Sequence, residues 1–162
     1  MYSNLRKKVI NIFRTLVLSS LMGFGAHLNA QDSADLSYSF DHVALSVTDV
    51  EASAQFYEEL FGLQRITNRT PMDGVRWLTM PGGGELHLLA VVPGEVLTTQ
   101  AVHLAVRTPD FDRLLATITE MGVEYTTWLG VGPGVTERDD GTRQIYVKDP
   151  DGYWVEIIGT PD

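Results

Sequence analysis

The sequence has no cysteine. Disulfides, thiolate chemistry and lipoprotein attachment are excluded with it, an absence that fits an exported protein without requiring one. Basic residues are scarce, 12 Lys and Arg against 21 Asp and Glu, for a net charge of −9. Phosphate backbones and anionic membrane surfaces would repel such a chain, so nucleic acid is not an expected partner, and solubility alone accounts for the acidity. Long apolar runs are also missing. The best, TLVLSSLMGFGA at 15–26, falls short of the roughly 20 residues that a spanning helix needs. It follows Arg6, Lys7, Lys8 and Arg14 and precedes LNA at 28–30, the layout of an export signal cut between Ala30 and Gln31. Residues 1–30 therefore read as a signal peptide for a periplasmic or secreted protein, with an uncleaved N-terminal anchor as the alternative. Its removal leaves 8 basic against 21 acidic residues, a net charge of −13, and no stable membrane span. Residues 31–38, QDSADLSY, read as a polar linker.

Histidine is scarce too, with four in the chain, yet two of them occupy the same point of two similar segments. In FDHVALSV, Val43, Leu45 and Val47 point one way and His42, Ala44 and Ser46 the other. Thr48 stands three residues before Glu51, a capping-box spacing that starts a helix. Phe56, Tyr57 and Leu60 give that helix its apolar face, and Gly62 suits its end. LQRIT, GVRWLTM and ELHLLAVV follow as strands, with PGGGE as a hairpin turn. The second copy opens with AVHLAVR, where His103, Ala105 and Arg107 share a face. Thr108 as cap and Pro109 at the first helical position lead into Phe111, Leu114, Leu115 and Ile118, closed by Gly122. VEYTTW, TRQIYV and YWVEIIG complete the unit, and GVRWLT at 74–79 answers GTRQIY at 141–146. Residues 129–141, LGVGPGVTERDDG, read as a glycine-rich loop able to act as a lid. The reading is an α+β domain over 39–160 made of two tandem βαβββ modules, about 40–93 and 101–159.

Alternation places Glu85, His87 and Leu89 on one face of the fourth strand, and Trp154, Glu156 and Ile158 on one face of the last. Aligning HLLAV with EIIGT sets His87 at the position of Glu156. Each module thus offers one polar group from its first strand and one from its last: His42 with His87, and His103 with Glu156. Imidazoles and a carboxylate held on strands suit a divalent transition metal, Fe, Mn, Ni, Co or Zn, rather than Ca or Mg.

The stretches DHVALSV, SAQFYEELFGL, VHLAV and above all IYVKDPDGYWVEI, with the duplication, resemble the vicinal oxygen chelate superfamily over residues 40–159. That superfamily holds glyoxalase I (lactoylglutathione lyase), fosfomycin-resistance enzymes, methylmalonyl-CoA epimerase and extradiol dioxygenases. The resemblance implies a glyoxalase/bleomycin-resistance/dioxygenase-like fold, with paired modules curled into a sheet cavity around a divalent metal. It carries the first-strand and last-strand ligand positions onto His42, His103 and Glu156. At 87, glyoxalase I has glutamate where this chain has histidine, with Glu85 as a neighbour on the same face. In that superfamily modules pair within one chain or swap across a homodimer, and both arrangements stay open.

Coordination number separates the reactions. Four protein ligands leave an octahedral ion two open positions, enough for a substrate chelating through adjacent oxygens as an enediolate. Three leave room for a catecholate and O₂. If His87 is a ligand, the expected function is a glyoxalase-like lyase or isomerase acting on a small oxygenated substrate, with Glu156, or secondarily Glu85, moving the proton. The alternative is an extradiol-type dioxygenase. Tyr146 and DPDG…E fit part of that signature, but its upstream histidine is missing from VTERDDGTR. A small-molecule binding or resistance protein of the same fold is a further alternative. Trp154 is the expected pocket residue, followed by Trp77, Gln144, Tyr146 and Glu85; Arg76 and Arg143 read first as surface strand positions, with a role as anchors for an anionic group as the alternative.

Overall fold

The computed structural model describes residues 37–160 except 92, 93 and 95. The expected signal peptide and the first six residues of the linker lie outside the described residues. The chain divides after Ser39, and the unit beginning at Phe40 carries the fold.

Within it the alternating segments form strands and the capped segments form helices. The elements are β1 (His42–Ser46), α1 (Val50–Phe61), β2 (Arg65–Ile66), β3 (Val75–Thr79), β4 (Glu85–Leu89), β5 (His103–Thr108), α2 (Phe111–Glu120), β6 (Tyr125–Thr126), β7 (Thr136–Glu137), β8 (Arg143–Lys148) and β9 (Trp154–Gly159). They make two sheets, ordered β1-β4-β3-β2 and β5-β9-β8-β6, with β7 also pairing on β8. In each module the first strand runs parallel to the last, a pairing that needs the intervening crossover. The register repeats as well: Ala44 opposes His87 and Ala105 opposes Glu156. His87 and Glu156 are therefore equivalent positions, as the alignment of HLLAV with EIIGT anticipates.

Other local expectations are corrected. Asp49 caps α1, its Oδ1 accepting from the amides of Glu51 at 3.0 Å and Ala52 at 3.1 Å. Thr48 does not make the capping box, because both its amide and its hydroxyl donate to Asp151 Oδ1 at 2.7 Å. Gly62 ends α1 as expected, in the left-handed conformation at φ 66°. Pro109 stands before α2 rather than inside it: Thr108 Oγ1 accepts from the Asp110 amide at 3.0 Å, which delays the helix to Phe111. The β3–β4 hairpin does turn at residues 80–84, with Met80 and Gly84 bonded and Gly82 and Gly83 at positive φ. The 129–141 loop contains a strand, β7, that has no alternating apolar pattern to announce it.

One apolar cluster joins the modules. Tyr57, Leu60, Leu78, Leu86 and Leu88 from the first pack with Ile118, Ile145, Val147, Val155 and Ile157 from the second. A polar clamp sits beside it. Asp149, buried, accepts from the Tyr57 hydroxyl at 2.9 Å and from the amides of Asp151 and Tyr153 at 3.0 and 2.8 Å. Asp151 takes Thr48 and, at 2.9 Å, the Ser53 hydroxyl. The DPDG turn thus fastens the second module to the helix of the first.

Tyr57→Phe would leave Asp149 Oδ2 short of a donor in a buried site, costing about 1–3 kcal/mol in urea unfolding at neutral pH. Burial raises the Asp149 carboxyl above its ordinary value, against the Tyr57 bond that lowers it. The charge penalty therefore exists only above that raised pKa, and the gap between variant and wild type should narrow as pH falls through it.

Candidate metal and substrate site

The strand registers lay out the second sheet's open face in rows. His103, Trp154 and Lys148 lie side by side across β5, β9 and β8. In the next row stand Ala105, Glu156, Tyr146 and Thr126, and in the third Arg107, Ile158, Gln144 and Thr136. Residues two apart on a strand share a face, so His103, Glu156, Tyr146, Gln144, Trp154 and Lys148 all look the same way.

His103 Nδ1 is 2.7 Å from the Gln100 carbonyl oxygen. A carbonyl only accepts, so Nδ1 carries the proton. The other ring nitrogen, Nε2, faces Glu156 Oε2 at 3.1 Å. A neutral imidazole held in this tautomer turns a lone pair toward a carboxylate oxygen, and the pair is satisfied by a second proton or by a cation. Glu156 Oε1 accepts from the Tyr146 hydroxyl at 2.8 Å, and Gln144 Nε2 donates to that hydroxyl at 3.3 Å. Burial, then the Glu156 carboxylate, pushes the Tyr146 phenol well above its ordinary value and keeps it a donor.

A cavity of about 660 Å³ opens over this group, with Trp128 and residues 136–140 on its rim. The segment expected as a lid walls one side of the cavity. Thr136 pairs with Gln144, the Trp128 amide donates to Thr136 Oγ1 at 3.0 Å, and Gln100 Nε2 donates to the Thr127 carbonyl at 3.0 Å. Gln100 therefore ties that wall to the same segment that orients His103.

The first sheet carries a different arrangement. His87 is sandwiched: the His42 ring stacks on it at 4.1 Å and 15°, and Trp77 at 4.1 Å and 8°. The Arg69 guanidinium covers the outer face of Trp77 at 4.4 Å. Glu85 Oε2 lies 2.8 Å from His87 Nε2, and both its oxygens accept from Arg69 at 2.9 Å. Those bonds, the one to His87 foremost, hold the Glu85 carboxyl below its ordinary value. His42 Nδ1 meets Asp41 Oδ2 at 2.6 Å.

The four candidate ligands thus fall into two pairs on two sheets, and among the described residues no group of three or more metal-capable side chains comes together. The donor types fit a borderline divalent ion. His103 has the carbonyl-held N–H and outward lone pair usual for a ligating imidazole, and His42 has the matching carboxylate partner.

The remaining candidates separate. Gln144 and Tyr146 line the cavity over Glu156, whereas Trp77 and Glu85 belong to the first sheet's stack. Trp154 lines an adjoining cavity. Arg76 is taken by Glu51 at 2.6 Å and Arg143 by Asp112 at 2.7 Å, so neither reaches the site as an anion anchor. Gln100, Trp128, Arg69 and Lys148 escaped the sequence reading. Only Lys148 had a signal, the alternation it shares with Gln144 and Tyr146.

A model of the glyoxalase/bleomycin resistance protein/dioxygenase superfamily matches residues 39–157. The chain belongs to that superfamily. A probable lactoylglutathione lyase of Vibrio parahaemolyticus is 30% identical over 125 residues, covering 72% of this chain and 87% of that protein. Among solved structures, a glyoxalase/dioxygenase from Nostoc punctiforme is 26% identical with a TM-score of 0.62, covering 86% and 100%. The oxidase ChaP-H1 is likewise 26% identical with a TM-score of 0.62, covering 77% and 98%. Members of this superfamily generally use divalent metals. No helix among the described residues is long and apolar enough to cross a membrane.

The raised Tyr146 phenol yields a direct check. In an alkaline absorbance titration Tyr57, Tyr146 and Tyr153 should ionise late, and Tyr146→Phe should remove one of these late tyrosines.

Proposed function

We propose that this chain is a metal-dependent enzyme of its superfamily, a glyoxalase-like lyase or isomerase acting on a small oxygenated substrate. The observation that carries the reading is the His103–Glu156 pair, two acceptor atoms 3.1 Å apart at the floor of a cavity. His42, His87, His103 and Glu156 would hold Fe, Mn, Ni, Co or Zn. Such an ion supplies Lewis-acid stabilisation of negative charge on the substrate's oxygens. Glu156 moves the proton between substrate carbons, with Tyr146 steadying its Oε1.

The division of the ligands between two sheets supports a homodimer in which the first module of one copy faces the second module of another. The basic N-terminus and short apolar run support export to the periplasm or beyond.

A three-ligand reading has its own support. In the stacked arrangement the nearly parallel His42 and His87 rings do not aim two lone pairs at one ion, and His87 Nε2 is engaged by Glu85, so the four-ligand set needs the two rings to turn apart. Without His87, the set His42, His103 and Glu156 would leave room for oxygen, an extradiol-type dioxygenase or oxidase arrangement.

Metal analysis of chain purified anaerobically without chelator distinguishes the two. The lyase or isomerase reading expects metal to be weakened or lost in His87→Ala, and retention unchanged would favour oxygen chemistry. Glu156→Gln should abolish turnover of a responsive substrate, and unchanged turnover would remove Glu156 from the proton-moving role. Mixing His42→Ala with His103→Ala chains should restore about a quarter of wild-type metal sites if ligands meet across a dimer. Restoring none would mean that they meet within one chain.

A further inference from the structure

His87 is held from two sides, and both sides run back to one residue. Trp77, its cross-strand neighbour, lies flat on the imidazole at 4.1 Å and 8°. Glu85 Oε2 stands 2.8 Å from its Nε2. Arg69 reaches both of these partners. Its guanidinium lies over the Trp77 ring at 4.4 Å, and its Nη2 donates to both Glu85 oxygens at 2.9 Å. Arg69, Trp77, His87 and Glu85 thus close a circuit of contacts. The indole gives the planar guanidinium a flat seat from which it meets the carboxylate, a double role that suits arginine and not lysine. The turn that presents Arg69 is itself fixed, since Asn68 Oδ1 accepts from the Thr70 amide at 2.8 Å.

This circuit decides which nitrogen of His87 is bare. An ionised carboxylate only accepts, so the proton between Glu85 and His87 sits on Nε2, and a neutral His87 keeps its lone pair on Nδ1. The other two histidines are the reverse. His103 and His42 hold a proton on Nδ1, against the Gln100 carbonyl at 2.7 Å and the Asp41 carboxylate at 2.6 Å, and keep Nε2 bare. Exposure separates the stacked pair as well, at 10% for the His87 side chain and 42% for His42. His42 stacks on His87 from outside and takes no part in the circuit.

We infer that Arg69 is the positioning residue of the first sheet's donor pair, setting the tautomer of His87 through Glu85 while bracing Trp77 against its face. His87 then offers Nδ1 to an ion, where His42 and His103 offer Nε2. His42, outside the circuit, is the ring that turns when the stack opens. Arg69 itself touches neither ion nor substrate. The choice of Nδ1 as a ligand atom rests on the proposed metal set, whereas the tautomer belongs to the metal-free chain.

Heteronuclear NMR of the isotopically labelled, metal-free chain reads each histidine's tautomer at about pH 8.5, above the ordinary imidazole pKa. His87 should carry its proton on Nε2, opposite to His42 and His103. In Arg69→Ala, Glu85 is free to turn to water, and the two His87 nitrogens should move toward the averaged shifts of a mixture while His103 stays as it was. Arg69→Lys, which keeps a donor for Glu85, should retain the Nε2–H form. In a Glu85→Gln background Arg69→Ala should change the tautomer no further, as expected of a residue that acts through Glu85. Added Zn(II) should shift His87 at Nδ1, with affinity about tenfold lower in Arg69→Ala. An Nδ1–H form of His87 in the wild-type chain, an Nε2–H form undisturbed in Arg69→Ala, or a Zn(II) shift at Nε2 would overturn the inference. A chain that binds no Zn(II) would sink the metal set and leave the tautomer result standing. Zn(II) bound to a chain whose His87 tautomer ignores Arg69 would do the reverse.

Discussion

The parallel ladder between the first and last strand of each module determines where every polar group of the site falls. Ala44 opposing His87 and Ala105 opposing Glu156 put a first-strand histidine and a last-strand donor on one face, diagonal to each other. A slip of one residue in either ladder would turn the slipped strand's polar donor into the core and its apolar residues outward, parting it from its partner. The apolar residues on the opposite face guard against it. Leu86, Leu88, Val155 and Ile157 are fully buried, so the register that preserves the core is also the one that assembles the site.

The antiparallel ladders set the middle strands. Trp77 opposes His87 and Tyr146 opposes Glu156, so each module backs its last-strand donor with an aromatic ring. The outcomes differ because the chemistry differs. Next to an imidazole, Trp77 stacks and builds the Arg69–Trp77–His87–His42 column. Next to a carboxylate, Tyr146 donates a hydrogen bond and stays neutral. One module thereby holds its donors by stacking and the other by hydrogen bonds, while Asp149 and Asp151 keep the two fastened through α1.

Strand identity, the duplication and the facing of His42, His87, His103 and Glu156 were legible in the sequence, because a period of two written over apolar residues leaves little freedom. What depends on distant partners was not. Thr48 looks like a cap until Asp151, far along the chain, takes both its donors. Matching GVRWLT to GTRQIY pairs Trp77 with Gln144, whereas the ladders pair it with Tyr146, two residues on: the two hairpins have the same length, and the likeness of the two hexapeptides is out of step with the sheet register. The β7 wall has polar residues at every paired position and forms only because β8 offers it an edge. The division of the four candidate ligands into His42 with His87 and His103 with Glu156 was legible as well, and the two sheets follow it. What alternation does not reveal is how one pair stands to the other.

The central claim is that His103 Nε2 and Glu156 Oε2 face each other in order to share a cation. Titration of metal-free chain with Co(II), followed by visible absorption, tests it most directly. The account predicts one saturable equivalent per chain, with the ligand-field bands lost in His103→Ala and altered in Glu156→Gln. No saturable binding, or bands identical in wild type and His103→Ala, would contradict it and leave the pair as an ordinary buried ion pair.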